Sequence, residues 1–273
     1  MSNNLWLPLA ATIAILGAAA MGVFQPRRYI GRGRLSPDES PLVFLRILAL
    51  ALGTWAICVL LLGSIHQARL KMKNEPATTG LSDAETVVFG GATELGALLT
   101  MLAATISLRP SGVRETGINL RRLPTGVLGG FVGILIVLPL IFYVNNFTDW
   151  AMQHLRQVHP PHELLEVLKD NPPQWLWAAD VISAGVIAPL AEELFFRGLV
   201  QTFFRHFTKS SWPAIVISAA AFALVHRWWT WPQIFFLGLC LGYAYERSGN
   251  LWVSITIHSL FNLTAIWAFT SLN

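Results

Sequence analysis

Residues 123–144 read LPTGVLGGFVGILIVLPLIFYV, twenty-two positions without an ionisable side chain. A helix needs roughly 18 to 20 apolar residues to cross a bilayer, so this stretch is long enough to span it. Similar segments flank it on both sides. They run from Leu5 to Phe24, Leu42 to Gly63, Glu85 to Leu108 and Trp175 to about Phe204, with shorter ones near Trp212 to His226, Trp231 to Tyr245 and Leu251 to Leu272. With Leu123 to Val144 these make about eight spans, and the expected fold is an all-α polytopic transmembrane helix bundle enclosing a polar cavity. The chain is read as one integral membrane domain, 1–273.

Composition agrees with that reading. Of 273 residues, 54% are hydrophobic and 12% charged, and the mean hydropathy is +0.53, which rules out a water-soluble globule of this size. A membrane β-barrel would show alternating segments of about 10 residues instead of long apolar runs. The two cysteines, Cys58 and Cys240, both lie inside apolar runs and supply neither a disulfide framework nor a thiolate metal site. Small residues at Gly17-Ala18-Ala19-Ala20 resemble a signal-peptide cleavage site, but no Lys or Arg precedes the first apolar stretch, so it is read as a retained helix.

The formal charge of +4 does not call for nucleic acid, because the basic residues sort by loop. Eleven share one side of the expected topology: Arg27, Arg28, Arg32, Arg34, Arg109, Arg114, Arg121, Arg122, Arg205, Lys209 and Arg247. Six fall opposite: Arg69, Lys71, Lys73, Arg156, Lys169 and Arg227. Positive residues favour the cytoplasm, so the expectation is a cell-membrane protein with its amino terminus outside. The longest break, Asn145 to Gln174, contains a stretch from His162 to Lys169 with helical apolar spacing, expected as a short amphipathic helix on the outer face. His154, His159 and His162 make no convincing metal site there, since two prolines interrupt them and no carboxylate or Cys completes the set.

Chemistry concentrates in the last third of the chain. An acid or base at a membrane-helix centre costs about 2.5–3.5 kcal/mol on insertion scales and so marks a function by default. The fifth helix carries Ala188-Pro-Leu-Ala-Glu-Glu-Leu-Phe-Phe-Arg-Gly198. Glu193 and Arg197 are four apart on one face, acid first, the favourable order for an ion pair. Glu192 is turned about 100° away and needs another partner. Helix six offers Phe222-Ala-Leu-Val-His226, and helix eight offers His258-Ser-Leu-Phe-Asn262 with imidazole and amide on one face. Glu192 lies seventeen residues before Lys209 and His226 seventeen after it, so an antiparallel turn near Lys209 sets them at similar depth.

An acid, two imidazoles and an amide suit hydrolysis. Glu192 serves as base for a water, His226 positions that water or shares its proton, and His258 and Asn262 donate to the oxyanion. Glu193 and Arg197 support the pocket. The same residues allow a zinc reading in which Glu192, His226 and His258 hold the metal with an open water position. Against it, the His-Glu-x-x-His helix of common metalloproteases is absent. Ser183 and Ser218 lie in spans without a nucleophile-elbow motif.

These motifs, Glu192-Glu193-x-x-x-Arg197, Phe222-x-x-x-His226 and His258-x-x-x-Asn262, resemble in order and spacing those of the CAAX-protease and bacteriocin-processing (CPBP or Abi) superfamily of intramembrane proteases, related to the type II CAAX prenyl endopeptidases. Pro189, Gly198 and the 238–249 run fit the same pattern. The resemblance covers about Val181 to Leu263. It implies endoproteolysis at the bilayer on a membrane-anchored or lipidated protein or peptide, with membrane lipid as the other partner and no nucleic acid. It also implies the first Glu as general base, the first His as its assistant, and the last His and Asn as oxyanion donors. A proton-coupled transporter and a catalytically silent membrane scaffold are the rival readings. For Arg46, Glu94 and Asp180, interhelical pairing or snorkelling is expected. Trp228, Trp229 and Trp231 are expected as interfacial anchors.

Overall fold

A computed structural model describes residues 41–109, 116–155, 167–168 and 172–272. Seven helical rods account for nearly all of them, and no strand occurs among the described residues. They are α1 (Pro41–Lys73), α2 (Asp83–Leu108), α3 (Leu123–His154), α4 (174–208), α5 (Ser211–Leu224), α6 (Trp231–Ser248) and α7 (Leu251–Leu272). Each matches one of the last seven apolar segments. The expected first span, 5–24, lies outside the described residues, as do Arg27, Arg28, Arg32, Arg34, Arg114, Arg156, Lys169, His159 and most of the amphipathic segment beginning at His162.

Four of the rods, the helices over Leu42–Lys73, Asp83–Leu108, Leu120–His154 and Leu251–Ser271, are long and apolar enough to cross a membrane. Their outer faces agree. On α3, Leu128, Leu135 and Phe142 recur every seven residues and are 67%, 72% and 72% exposed. Water would penalise such a stripe, whereas hydrocarbon accepts it while the helix satisfies its own backbone. The chain is an integral membrane protein.

Two helices outrun their apolar cores. α3 continues past the expected end at Val144 because Asn146 Nδ2 donates to the Phe142 carbonyl at 2.7 Å and Thr148 Oγ1 to the Val144 carbonyl at 2.8 Å. Asn145 Nδ2 donates to Asp149 one turn on, at 3.0 Å. α1 likewise carries a polar tail from His66 to Lys73.

The described chain divides into two compact units. One comprises residues 116–155 and 196–257. Within it α5 and α6 form a close pair, since a Cβ on Gly238 would lie 3.0 Å from the Ala219 Cα. On α3, a Cβ at Gly126 would fall 2.4 Å from the Trp252 Cβ, and one at Gly130 would fall 2.3 Å from the Thr256 Cβ. This small-xxx-small face lets backbones approach where no hydrophobic force drives helices together. Arg122 then seals the α6–α7 turn, donating to the Gly249 and Ser248 carbonyls at 2.8 and 3.1 Å. Gly249 takes the left-handed conformation there, φ 57°, the usual glycine exit from a helix.

The other unit comprises residues 41–109, 167–168, 172–195 and 258–272. Its α1 and α2 are joined by a capped turn. Ser82 and Glu85 form a reciprocal capping box. The Glu85 carboxylate also receives His66 Nδ1 at 3.2 Å and Arg69 Nη2 at 3.0 Å. His66 Nε2 faces the Thr79 carbonyl at 3.0 Å, so both ring nitrogens meet acceptors and a doubly protonated ring satisfies both. Val87 of α2, Leu176 of α4 and Val167 form one buried cluster. A Cβ on Gly91 would lie 3.1 Å from Ser183 Oγ. Helices α2 and α4 therefore lie side by side and run in the same direction.

Candidate functional site

The helix that bears the glutamates is not regular. α4 consists of an α segment Gln174–Ile182, a π segment Ser183–Ile187, an α segment Ala188–Glu193, a second π segment Leu194–Gln201 and a final α segment Thr202–Thr208. Wide turns of this kind are rare and concentrate at functional sites. Here they bracket Glu192 and Glu193.

The first wide turn has a local cause. The Ala188 amide donates to the Ser183 carbonyl five residues back, and residue 189 is a proline with no amide to offer. The Ala184 carbonyl thus loses both of its helical donors. Asn262 Nδ2, from α7, donates to it at 2.8 Å. One hydrogen of that amide is thereby committed to the backbone and one remains.

One turn before Asn262 on α7, His258 is 3% exposed and lies between the two glutamates. Its Nδ1 is 2.9 Å from Oε1 of the fully buried Glu193, and its Nε2 is 3.7 Å from Glu192 Oε2. An ionised carboxylate only accepts, so Nδ1 carries a proton and donates it to Glu193. The other nitrogen then faces Glu192 across a gap too long for a direct hydrogen bond and short enough for one bridging oxygen. The Glu192 side chain is 24% exposed, against 0% for Glu193. Adjacent in sequence, the two acids have different environments, a buried orienting acid and an accessible one.

His226 and Arg197 belong to the other unit. His226 Nδ1 donates to the Phe222 carbonyl at 2.7 Å, which leaves Nε2 with its lone pair as an acceptor or base. The backbone of His226 is held as well, because Trp231 Nε1 donates to its carbonyl at 2.9 Å. The tryptophan cluster expected as membrane anchors therefore also fastens a candidate site residue. Trp228 and Trp231 remain well exposed, as anchors require. Arg197 is fully buried, donates Nη2 to the Gly238 carbonyl at 3.2 Å and lies 4.6 Å from the centre of the Phe222 ring. One turn on, Gln201 Nε2 donates to the Gly242 carbonyl at 3.1 Å, so α4 and α6 are laced at four-residue intervals.

Two acids depart from expectation. Asp180 was expected to pair or snorkel, but it is fully buried and neither carboxyl oxygen has a hydrogen-bond partner among the described residues. Glu94 on α2 has a buried Oε2 without a partner, and it interacts electrostatically with Glu192. Arg46, by contrast, is exposed near the start of α1 as snorkelling predicts. No group of three or more His, Cys, Asp or Glu side chains is gathered for a metal ion among the described residues.

The helices and motifs define an all-α membrane protein with an acid–imidazole cluster inside a span. Residues 173–264, about a third of the chain, match the family described as type II CAAX prenyl endopeptidase Rce1-like. That segment is similar to the Rce1-like family, and the three motifs fall within it. The chain is 31% identical over 88 residues to the uncharacterized protein YpbD of Bacillus subtilis strain 168, covering 32% of this chain and 43% of that one. It is 35% identical over 81 residues to the UPF0177 protein YxdF of Lactococcus lactis subsp. lactis strain IL1403, covering 29% and 44% respectively. Each match spans less than half of the relative's length. No solved structure matches the chain significantly.

Proposed function

We propose that this protein is an intramembrane endopeptidase that hydrolyses a peptide bond in a membrane-anchored or lipidated protein or peptide, with CAAX-type substrates as the class suggested by the Rce1-like match. The observation that carries this reading is the line Glu193–His258–Glu192, in which one buried carboxylate orients an imidazole whose far nitrogen faces a second, accessible carboxylate.

The chemistry follows from those positions. Glu192 accepts a proton from a water as the water oxygen attacks the scissile carbonyl carbon. The developing oxyanion is met by Nε2–H of His258, whose ring in this scheme carries a proton on both nitrogens, and by the second hydrogen of Asn262 Nδ2. When the carbon–nitrogen bond breaks, the proton held by Glu192 passes to the leaving amine, so water and peptide are consumed and a carboxylic acid and an amine are released. His226 enters this scheme on its motif and on its free Nε2 lone pair, as the group that orients the water. Glu193 and Arg197 act as supports.

Cleavage by purified wild-type protein and by Glu192→Gln in lipid vesicles, both shown folded, tests the assignment. Membrane-tethered peptides with and without a prenylated CAAX terminus are the substrates to compare. Loss of cleavage in the variant supports Glu192 as base, and a prenyl-independent rate would move the substrate class away from CAAX peptides.

A further inference from the structure

Hydrolysis consumes a water for each bond cut, and Glu192 faces His258 of the membrane-spanning α7. We propose that the seam between α2 and α4, marked by Asp180, Ser183 and Glu94, is a hydrated file that admits water to Glu192. The inference rests on the role of Glu192 given above.

The seam's register makes it a staircase. α2 and α4 start at the same end, with Val87 beside Leu176 and Gly91 against Ser183. Counted along the helices, Asp180 is six residues in from Gln174, Glu94 eleven in from Asp83, and Glu192 eighteen in from Gln174. At about 1.5 Å per residue these are depths of roughly 9, 16 and 27 Å, the last somewhat less because a π segment intervenes. The steps between these depths are about 7 and 11 Å, a few waters in file for each.

The polar atoms along it ask for donors. Both oxygens of Asp180, a fully buried side chain, and Oε2 of Glu94 have no hydrogen-bond partner among the described residues. An unmet buried acceptor costs about 1–3 kcal/mol, and buried polar groups are otherwise paired with protein or water. Among the described residues no Lys, Arg or His donates to Asp180 or to Oε2 of Glu94; His66 and Arg69 are engaged with Glu85. Water supplies donors to three acidic oxygens in series without adding charge. Gly91 and Ser183 leave no room there for a larger side chain, since a Cβ on Gly91 would lie 3.1 Å from Ser183 Oγ.

Infrared spectroscopy of the full chain in lipid vesicles tests this without substrate. Carboxyl bands of Asp180 and Glu94 are assigned by difference against Asp180→Asn and Glu94→Gln, then followed after transfer to heavy water. A hydrated seam gives exchange, or an ionised carboxylate band, at both positions within minutes. The double readout keeps the test intact should one variant fail to fold. In Asp180→Leu, which plugs the file, exchange at Glu94 slows at least tenfold. Protonated bands that hold their position for hours in wild type overturn the proposal. Rapid exchange in a protein that cleaves no substrate leaves the water file standing and refutes the protease reading instead.

Discussion

His258 joins the two halves of the chemistry, and its neighbours assign separate effects to separate substitutions. Glu193→Gln keeps the shape but removes the negative charge that accepts the Nδ1 proton, so the ring no longer holds a proton on both nitrogens and loses orientation and charge together. We expect kcat to fall about tenfold or more with KM little changed, while thermal stability stays within a few degrees; equal kcat would show that Glu193 does not orient the ring. Glu192→Gln should cost more, about 10²- to 10⁴-fold, the range of a lost general base. Residues 192, 193, 226, 258 and 262 stand out as candidates in the sequence, because ionisable and amide groups inside apolar runs need a reason to be there. The hydrogen bond between Glu193 and an imidazole sixty-five positions away has no such local signature.

The helices themselves carry a second lesson. Seven helices could be placed by hydropathy, four of them long and apolar enough to cross a membrane, yet their regularity could not. Pro189 has no amide to offer, but whether that gives a kink or a wide turn depends on Asn262 arriving from α7 to take the Ala184 carbonyl. This coupling is measurable. Asn262→Ala leaves that carbonyl unpaired and should destabilise the protein by about 1–3 kcal/mol. In a Pro189→Ala background the restored amide can reach the same carbonyl, so the second substitution should cost about 1 kcal/mol less. Strictly additive losses in thermal unfolding in detergent would contradict this account of the π turn. The glycine face of α3 was visible as Gly126-x-x-x-Gly130 and was passed over, since in a stretch so apolar the length drew attention before the pattern. Gly130→Leu would drive a side chain into Thr256, an overpacking cost of about 1–3 kcal/mol, seen as a lowered melting temperature with no change in the lipid requirement.

For the molecule as a whole, composition and run length were enough to specify a polytopic membrane protein, and the Rce1-like match at 173–264 agrees with the three motifs. Orientation rests on the distribution of Arg and Lys among loops. We expect both ends of an eight-span chain to lie outside the cell, so a reporter that is active only in the cytoplasm should stay silent when fused after Asn273 and become active in the loop following Lys209. The reverse pattern would invert the topology. α1 to α3 carry no motif of the Rce1-like kind, and sequence left their role open. In the structure Glu94 of α2 interacts electrostatically with Glu192, the proposed base, and this could not be read from spacing because it depends on which helices become neighbours.

The most direct test of the central claim is the cleavage rate of a membrane-tethered peptide by wild-type protein and by Glu192→Gln, reconstituted side by side in vesicles and matched for folding by melting temperature. Product from the wild type, with at least a hundredfold less from the variant, is the expected result. Equal rates, or no product from either while folding is intact, would contradict it.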